Sequence, residues 1–112
     1  MTTPEGRTKT SINRVLKAFG VYSYMPVPTG RGKTTVDYHC YVRYGELCLA
    51  FFIEAKKPGG EATGLQTNFL NERREKQCAK TFVIDDDNVT LHKLVEWLEG
   101  IEAYNEHYDA HV

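Results

Sequence analysis

No run of apolar residues in this 112-residue sequence approaches the roughly 18 that a membrane span requires, and the opening MTTPEGRTKTS lacks the hydrophobic segment of a secretory signal. A cytoplasmic protein with no membrane partner is therefore expected. Cysteine is scarce: Cys40, Cys48 and Cys78 are odd in number and lack zinc-type spacing, which argues against a disulfide framework or a zinc knuckle and for buried, reduced thiols. There are no internal repeats, no low-complexity tract and no linker, and 112 residues leave no room for a second domain. A hydrophobic content of 41% suffices for one modest core, so the expectation is a single domain over residues 1–112. Basic residues are nearly missing from the C-terminal quarter. Residues 85–112 hold one Lys against eight Asp/Glu, whereas residues 1–84 hold 13 Lys/Arg against seven Asp/Glu, so +6 and −7 give the net charge of −1. A basic body could meet phosphates while the acidic end points elsewhere, although a solvated helix accounts equally well for the acidic end.

What is present centres on a hairpin. Glycine suits the first central position of a type II′ turn at Gly45-Glu46, which pairs Tyr44 with Leu47. Counting outward sets Asp37 opposite Glu54, with Lys56 two residues on. In that register Val36, Tyr38, Cys40 and Val42 share an apolar face with Leu47, Leu49, Phe51, Ile53 and Ala55. The other face carries Asp37, His39, Tyr41, Arg43, Cys48, Ala50, Phe52, Glu54 and Lys56, and with them the charge of both strands. Opposed residues have Cβ atoms roughly 4.5–5.5 Å apart, where like charges destabilise a sheet. A divalent cation would offset two carboxylates so placed. A lysine beside it would stabilise a developing anion or orient a nucleophile. The pattern points to a metal-dependent phosphodiesterase site, with a solvent-exposed strand end as the plainer alternative.

Around the hairpin, Ile12, Val15, Leu16 and Phe19 fit one face of a helix that begins near Pro4-Glu5 and stops at Gly20. Val21 to Val27, closed by Pro26 and Pro28, suggests an edge strand. A basic loop, residues 28–33, leads into the hairpin of Thr35 to Lys56. Pro58-Gly59-Gly60 breaks the second strand. Thr63 then caps a helix to about Gln77 with Leu65, Phe69 and Leu70 as its apolar stripe. Thr81 to Ile84 reads as a short buried strand, the acidic run 85–88 as a turn, and Leu91, Leu94, Val95, Leu98 and Ile101 as an amphipathic helix over about 89–106. The order is αβββαβα, an α/β unit around a mixed sheet.

The ordered set Asp37, Ile53-Glu54-Ala55-Lys56 and Gln66 resembles the PD-(D/E)XK nuclease superfamily, and within it the small stand-alone VRR-NUC type often encoded by bacteriophages. The resemblance covers about residues 4–85. It implies a restriction-endonuclease-like αβββαβ core, here with an added C-terminal helix. It further implies Mg²⁺ or Mn²⁺ held by Asp37, Glu54 and the Ala55 backbone carbonyl, with Glu5 a loosely matched further ligand. Lys56 would assist the attacking water, and Gln66 would orient the lysine or the water. The implied activity is hydrolysis of DNA phosphodiester bonds by an endonuclease, on duplex or on branched or junction DNA in phage replication or recombination. A phage enzyme would act in the host cytoplasm. Cutting two strands together would call for a homodimer. Arg31, Lys33 and Lys57 flank the hairpin and are candidates to hold the DNA backbone. The rivals are a non-catalytic nucleic-acid-binding domain on the same fold, and an interaction or inhibitor protein whose acidic helix mimics nucleic acid.

Other motifs fall away. Gly32-Lys33-Thr34 looks like the end of a P-loop, but the required earlier glycine is Val27 and a strand follows where a helix should begin, so no nucleotide cofactor is expected. Asp85, Asp86 and Asp87 read as a solvated turn. His107 and His111 have no third ligand, and His39, on the face of the acids, reads as a satisfied surface histidine, with contact to substrate as the alternative.

Overall fold

A computed structural model describes residues 3–26, 35–86 and 88–112. Arg31, Lys33 and Asp87 lie outside those residues. Seven elements follow in the expected order: α1 Pro4–Ala18, β1 Tyr22–Tyr24, β2 Tyr38–Tyr44, β3 Leu47–Ala55, α2 Gly64–Gln77, β4 Lys80–Ile84 and α3 Val89–Ala110. The four strands form one mixed sheet in the order β1-β2-β3-β4, with β1, β2 and β3 antiparallel and β4 parallel to β3 across the α2 crossover.

Local chemistry sets the boundaries. Thr3 caps α1 by accepting from the Gly6 amide at 3.0 Å, Pro4 occupies the first turn where its missing N–H costs nothing, and Gly20 ends the run at φ +66°. In α2 the Thr63 hydroxyl accepts from the Gln66 amide at 3.3 Å, while the Gln66 side-chain carbonyl accepts from the Thr63 amide at 3.0 Å. This reciprocal box fixes where the helix starts. The hairpin turns at Gly45, φ +61°, and pairs Tyr44 with Leu47 and Tyr38 with Ile53, the register read from the sequence.

Alternation along β2 and β3 divides the core between two layers. Tyr38, Cys40, Phe51, Ile53 and Ala55 pack with Phe82 and Ile84 of β4 against Ile12 and Leu16 of α1 and Leu94, Leu98 and Ile101 of α3. Phe52 faces the other way, with Ala50, beneath Leu70 and Phe69 of α2. The sheet therefore lies between α1 and α3 on one side and α2 on the other.

Several sequence expectations need correction. Val36 joins the α2 layer rather than the face of Tyr38, because regular pairing starts only at Tyr38 and alternation cannot be extended through residues 35–37. Leu47 lies at the tip of the hairpin and is exposed, while the last turns of α3 pack on its neighbours Tyr44 and Gly45. Leu65 is also exposed: the inward stripe of α2 runs through Gln66, Phe69 and Leu70, so a glutamine takes the place given to a leucine. Only Cys40 is a buried thiol, its pKa pushed up to about 12 by desolvation, while Cys48 and Cys78 are exposed and all three are free. The helix α3 continues to Ala110, one turn past the expected end, where Tyr104 stacks on Tyr44 at 3.9 Å and Asp109 pairs with Arg43. These contacts hold the acidic helix against the sheet side remote from α2.

Candidate functional site

At the end of the sheet where β2 begins and β3 stops, backbone pairing gives way to side-chain crosslinks. The Asp37 amide donates to Glu54 Oε1 at 3.0 Å, and the Ala55 amide donates to Asp37 Oδ2 at 2.8 Å. Each carboxylate thus satisfies an amide of the facing strand. Charge-assisted bonds of this kind contribute about 1.5–3 kcal/mol each, which offsets part of the desolvation of two buried acids. Asp37 is 4% exposed and Glu54 1%.

The second oxygen of each acid meets an ammonium. Lys56 Nζ lies 3.0 Å from Glu54 Oε2, and Lys9 Nζ lies 3.6 Å from Asp37 Oδ1. Asp37, Glu54 and Lys56 are therefore gathered as the hairpin register required. Repulsion between the acids is offset by two lysines and two amides, whereas sequence reasoning had invoked only a cation.

Lys9 is a residue of this centre that the sequence analysis does not name. Its signal was available: it sits three residues before Ile12 and seven before Leu16, on the face of α1 that turns to the sheet, where a charge needs a partner. Two hydroxyls hold this part of α1 in place. Tyr38 Oη donates to Asn13 Oδ1 at 2.9 Å and lies 3.3 Å from the Lys9 carbonyl, and Thr8 Oγ1 donates to the Lys56 carbonyl at 2.9 Å. Burial, aided by the negative charge of Asp37, pushes the Tyr38 phenol up to about 12, so it stays a donor at neutral pH.

The remaining candidates are distributed around this centre. Lys56 N–H donates to the Ile84 carbonyl at 2.8 Å, toward β4, while Ala55 N–H points to Asp37. Since the amide and carbonyl of one strand residue project to the same edge and successive residues alternate, the Ala55 carbonyl is directed to the Asp37 side. Glu5 stands 3.9 Å from Lys9 Nζ, half-exposed, so the lysine lies between it and Asp37. Among the described residues no cluster of three or more His, Cys, Asp or Glu side chains forms. Gln66 is buried, with its carbonyl engaged in the α2 cap.

Lys57 is exposed and lines a cleft of about 500 Å³ with Thr3, Glu5, Lys56 and Glu61. Gly60 closes that cleft over Lys56: a Cβ there would meet the Lys57 carbonyl at 3.0 Å and Lys56 Cβ at 3.1 Å. Any side chain would displace the lysine stem. Asp85 is engaged locally, accepting from the Thr90 hydroxyl at 2.9 Å and the Gly59 amide at 3.3 Å. His107 and His111 form a ring pair on the surface of α3, remote in the fold from the acids.

A hard divalent cation would find an all-oxygen donor set at this place: two buried carboxylates and one backbone carbonyl, with water completing the shell. The residues fit magnesium or manganese.

His39, two residues from Asp37, is satisfied: Nε2 lies 2.8 Å from Thr35 Oγ1 and Nδ1 3.3 Å from Tyr24 Oη, with Phe52 and Phe69 packed on the ring. Burial, then the nearby Arg73 guanidinium, lowers its pKa below the ordinary 6.5. A lowered folded-state value means that the fold favours the neutral ring. The stability this contributes is complete above pH about 6.5 and is lost as pH falls toward the folded value. The melting temperature of the wild type is therefore expected to drop more steeply between about pH 7 and pH 5 than that of His39→Gln. Parallel slopes in thermal melts would refute this.

No family model matches the chain, and neither the curated proteins nor the solved structures searched include a match.

Proposed function

We propose that this protein is a metal-dependent endonuclease that hydrolyses DNA phosphodiester bonds at the Asp37–Glu54–Lys56 centre. The observation that carries this reading is the convergence of two buried carboxylates, crosslinked through each other's backbone, with an ammonium 3.0 Å from one of them. A charged strand end left to solvent would not bury both acids. Asp37, Glu54 and the Ala55 carbonyl would hold the cation. Bound magnesium or manganese would supply a nucleophilic water at neutral pH and shield charge on the phosphoryl oxygens. Lys56 lines the cleft, where its ammonium can hold a phosphoryl oxygen as negative charge develops. Lys57, exposed on the same cleft wall, can take a flanking phosphate. One such centre cuts one strand, so coordinated cutting of two strands would use a homodimer.

The test is incubation of the protein with supercoiled plasmid and with a four-way junction, with and without Mn²⁺. Nicking that appears with Mn²⁺ and vanishes with EDTA is expected. An inert protein on both substrates with Mg²⁺ and with Mn²⁺ would overturn the assignment.

A further inference from the structure

The sheet face that carries the acids is only half covered. Helix α2 packs over Phe52 and Ala50 of β3, and beyond it β1 and β2 present a row of rings. Tyr22 is 68% exposed and Tyr24 44% exposed. Cross-strand pairing sets Tyr22 beside Tyr41, ring centroids 6.1 Å apart, and Tyr24 beside His39 at 5.1 Å. Tyr24 and Tyr41 lie nearly parallel, 15° apart in plane. The row continues from His39 to Phe69 at 5.5 Å, and the Arg73 guanidinium stands over Phe69 at 5.0 Å.

Aromatic cross-strand pairs stabilise sheets ordinarily, but that role accounts poorly for this row. Rings serving the core are covered, whereas these leave most of Tyr22 in water on an edge strand. Arg73 is held at a cost too: its Nε is buried and makes no hydrogen bond among the described residues. The row also has a direction. Tyr41 pairs with Ala50 and His39 with Phe52, and Glu54 is the next residue on that face of β3, so a rise of about 3.4 Å per residue puts Tyr41 roughly 13 Å from the Glu54 position.

We infer that Tyr22, Tyr24 and Tyr41, flanked by Phe69 and the Arg73 cation, form a platform on which unpaired bases of a single-stranded nucleic acid stack, leading that strand to the carboxylate centre. Flat exposed rings accept any base, because every base has a π-face, and arginine beside them meets the phosphates. Charge selects this occupant over an apolar peptide: the Arg73 guanidinium, which also pairs with Glu72 at 3.2 Å, stands at the end of the row. The substrate that results is a duplex carrying a single-stranded arm or gap. This deepens, and rests on, the nuclease reading, but base stacking can be measured apart from hydrolysis.

The experiment is fluorescence anisotropy in EDTA with a labelled oligothymidylate and an abasic oligomer carrying the same number of phosphates. The wild type is expected to bind oligothymidylate about tenfold or more tightly than the abasic oligomer. Tyr22→Ala/Tyr24→Ala, folded by circular dichroism, should reduce that preference to near parity, and Tyr22→Phe/Tyr24→Phe should keep it. Equal affinity of the wild type for the two oligomers, or no binding to either, overturns the platform, and that comparison needs no variant to fold. Cleavage of a tailed and a blunt duplex in Mn²⁺ then separates the two proposals. Base-dependent binding without cleavage of any substrate sinks the nuclease and keeps the platform. Cleavage of both duplexes at one rate sinks the platform's role in guiding substrate and keeps the nuclease.

Discussion

Asp37→Asn, Glu54→Gln and Lys56→Ala are each expected to abolish Mn²⁺-dependent nicking of plasmid while the protein stays folded. The two amides are near-isosteric with the acids they replace and retain a carbonyl oxygen. Ala55 N–H can still donate to residue 37, and Asp37 N–H to residue 54, so the crosslinks that close the end of the sheet survive. What disappears is the charge that, on the proposed function, would hold a divalent cation. Lys56 is different, because removing its ammonium leaves the nearly buried Glu54 carboxylate with one cation fewer beside it. Lys56→Met, which keeps the stem packed beneath Gly60, serves as the gentler partner to the alanine variant. Loss of one preorganised charge at a site of developing anion costs about 10²–10³-fold in rate, and loss of a metal-binding carboxylate should cost at least as much. Turnover measured beside circular dichroism and melting temperature tests this. Hydrolysis that persists in all three folded variants would remove the centre from the chemistry altogether.

The fold and most of this centre were legible because they rest on short-range rules. A glycine at the hairpin tip and period-two alternation set the register from Tyr44–Leu47 to Tyr38–Ile53, and side-chain crosslinks just beyond its end join Asp37 and Glu54. Thr63 with Gln66 three residues later marked the start of α2. What stayed hidden depends on how layers meet. Val36 and Leu47 broke the alternation where regular pairing or helical cover ends, and Leu65 lost its inward place to Gln66 because three apolar positions do not fix a helix's rotation. Trp97 packs edge-on against Phe51 and Phe82, a contact that requires knowing that α3 crosses β3 and β4. The Arg31 and Lys33 candidates lie outside the described residues. The open aromatic row could not be separated from core-forming rings until α2 was seen to cover only half the face.

Lys9 carries the second large effect. Lys9→Met is expected to lower the melting temperature in EDTA by roughly 5–10 °C, a deficit that Mn²⁺ largely repairs. Lys9 Nζ faces Asp37 Oδ1 at 3.6 Å, and the aspartate side chain is 5% exposed while that of Lys9 is 30% exposed. Truncating one partner of a fully buried pair costs about 3–5 kcal/mol, and the partial exposure of Lys9 scales this down to about 1–2 kcal/mol. Methionine preserves the apolar stem, so the loss is one of charge rather than of packing. A divalent cation held by Asp37 and Glu54 replaces that charge, and stabilisation by a ligand that binds only the folded state grows with its concentration over Kd. The variant should therefore gain more from Mn²⁺ than the wild type, in which Lys9 already balances Asp37 and has Glu5 within 3.9 Å as a second partner. Adding Asp37→Asn should remove both the penalty and the repair, since the neutral amide needs no cation, and the double variant should then be more stable in EDTA than the sum of the single effects implies. A deficit that Mn²⁺ leaves unchanged would show that Asp37 and the cation do not share a place, and the assignment of Asp37 as a metal-holding group would fail with it.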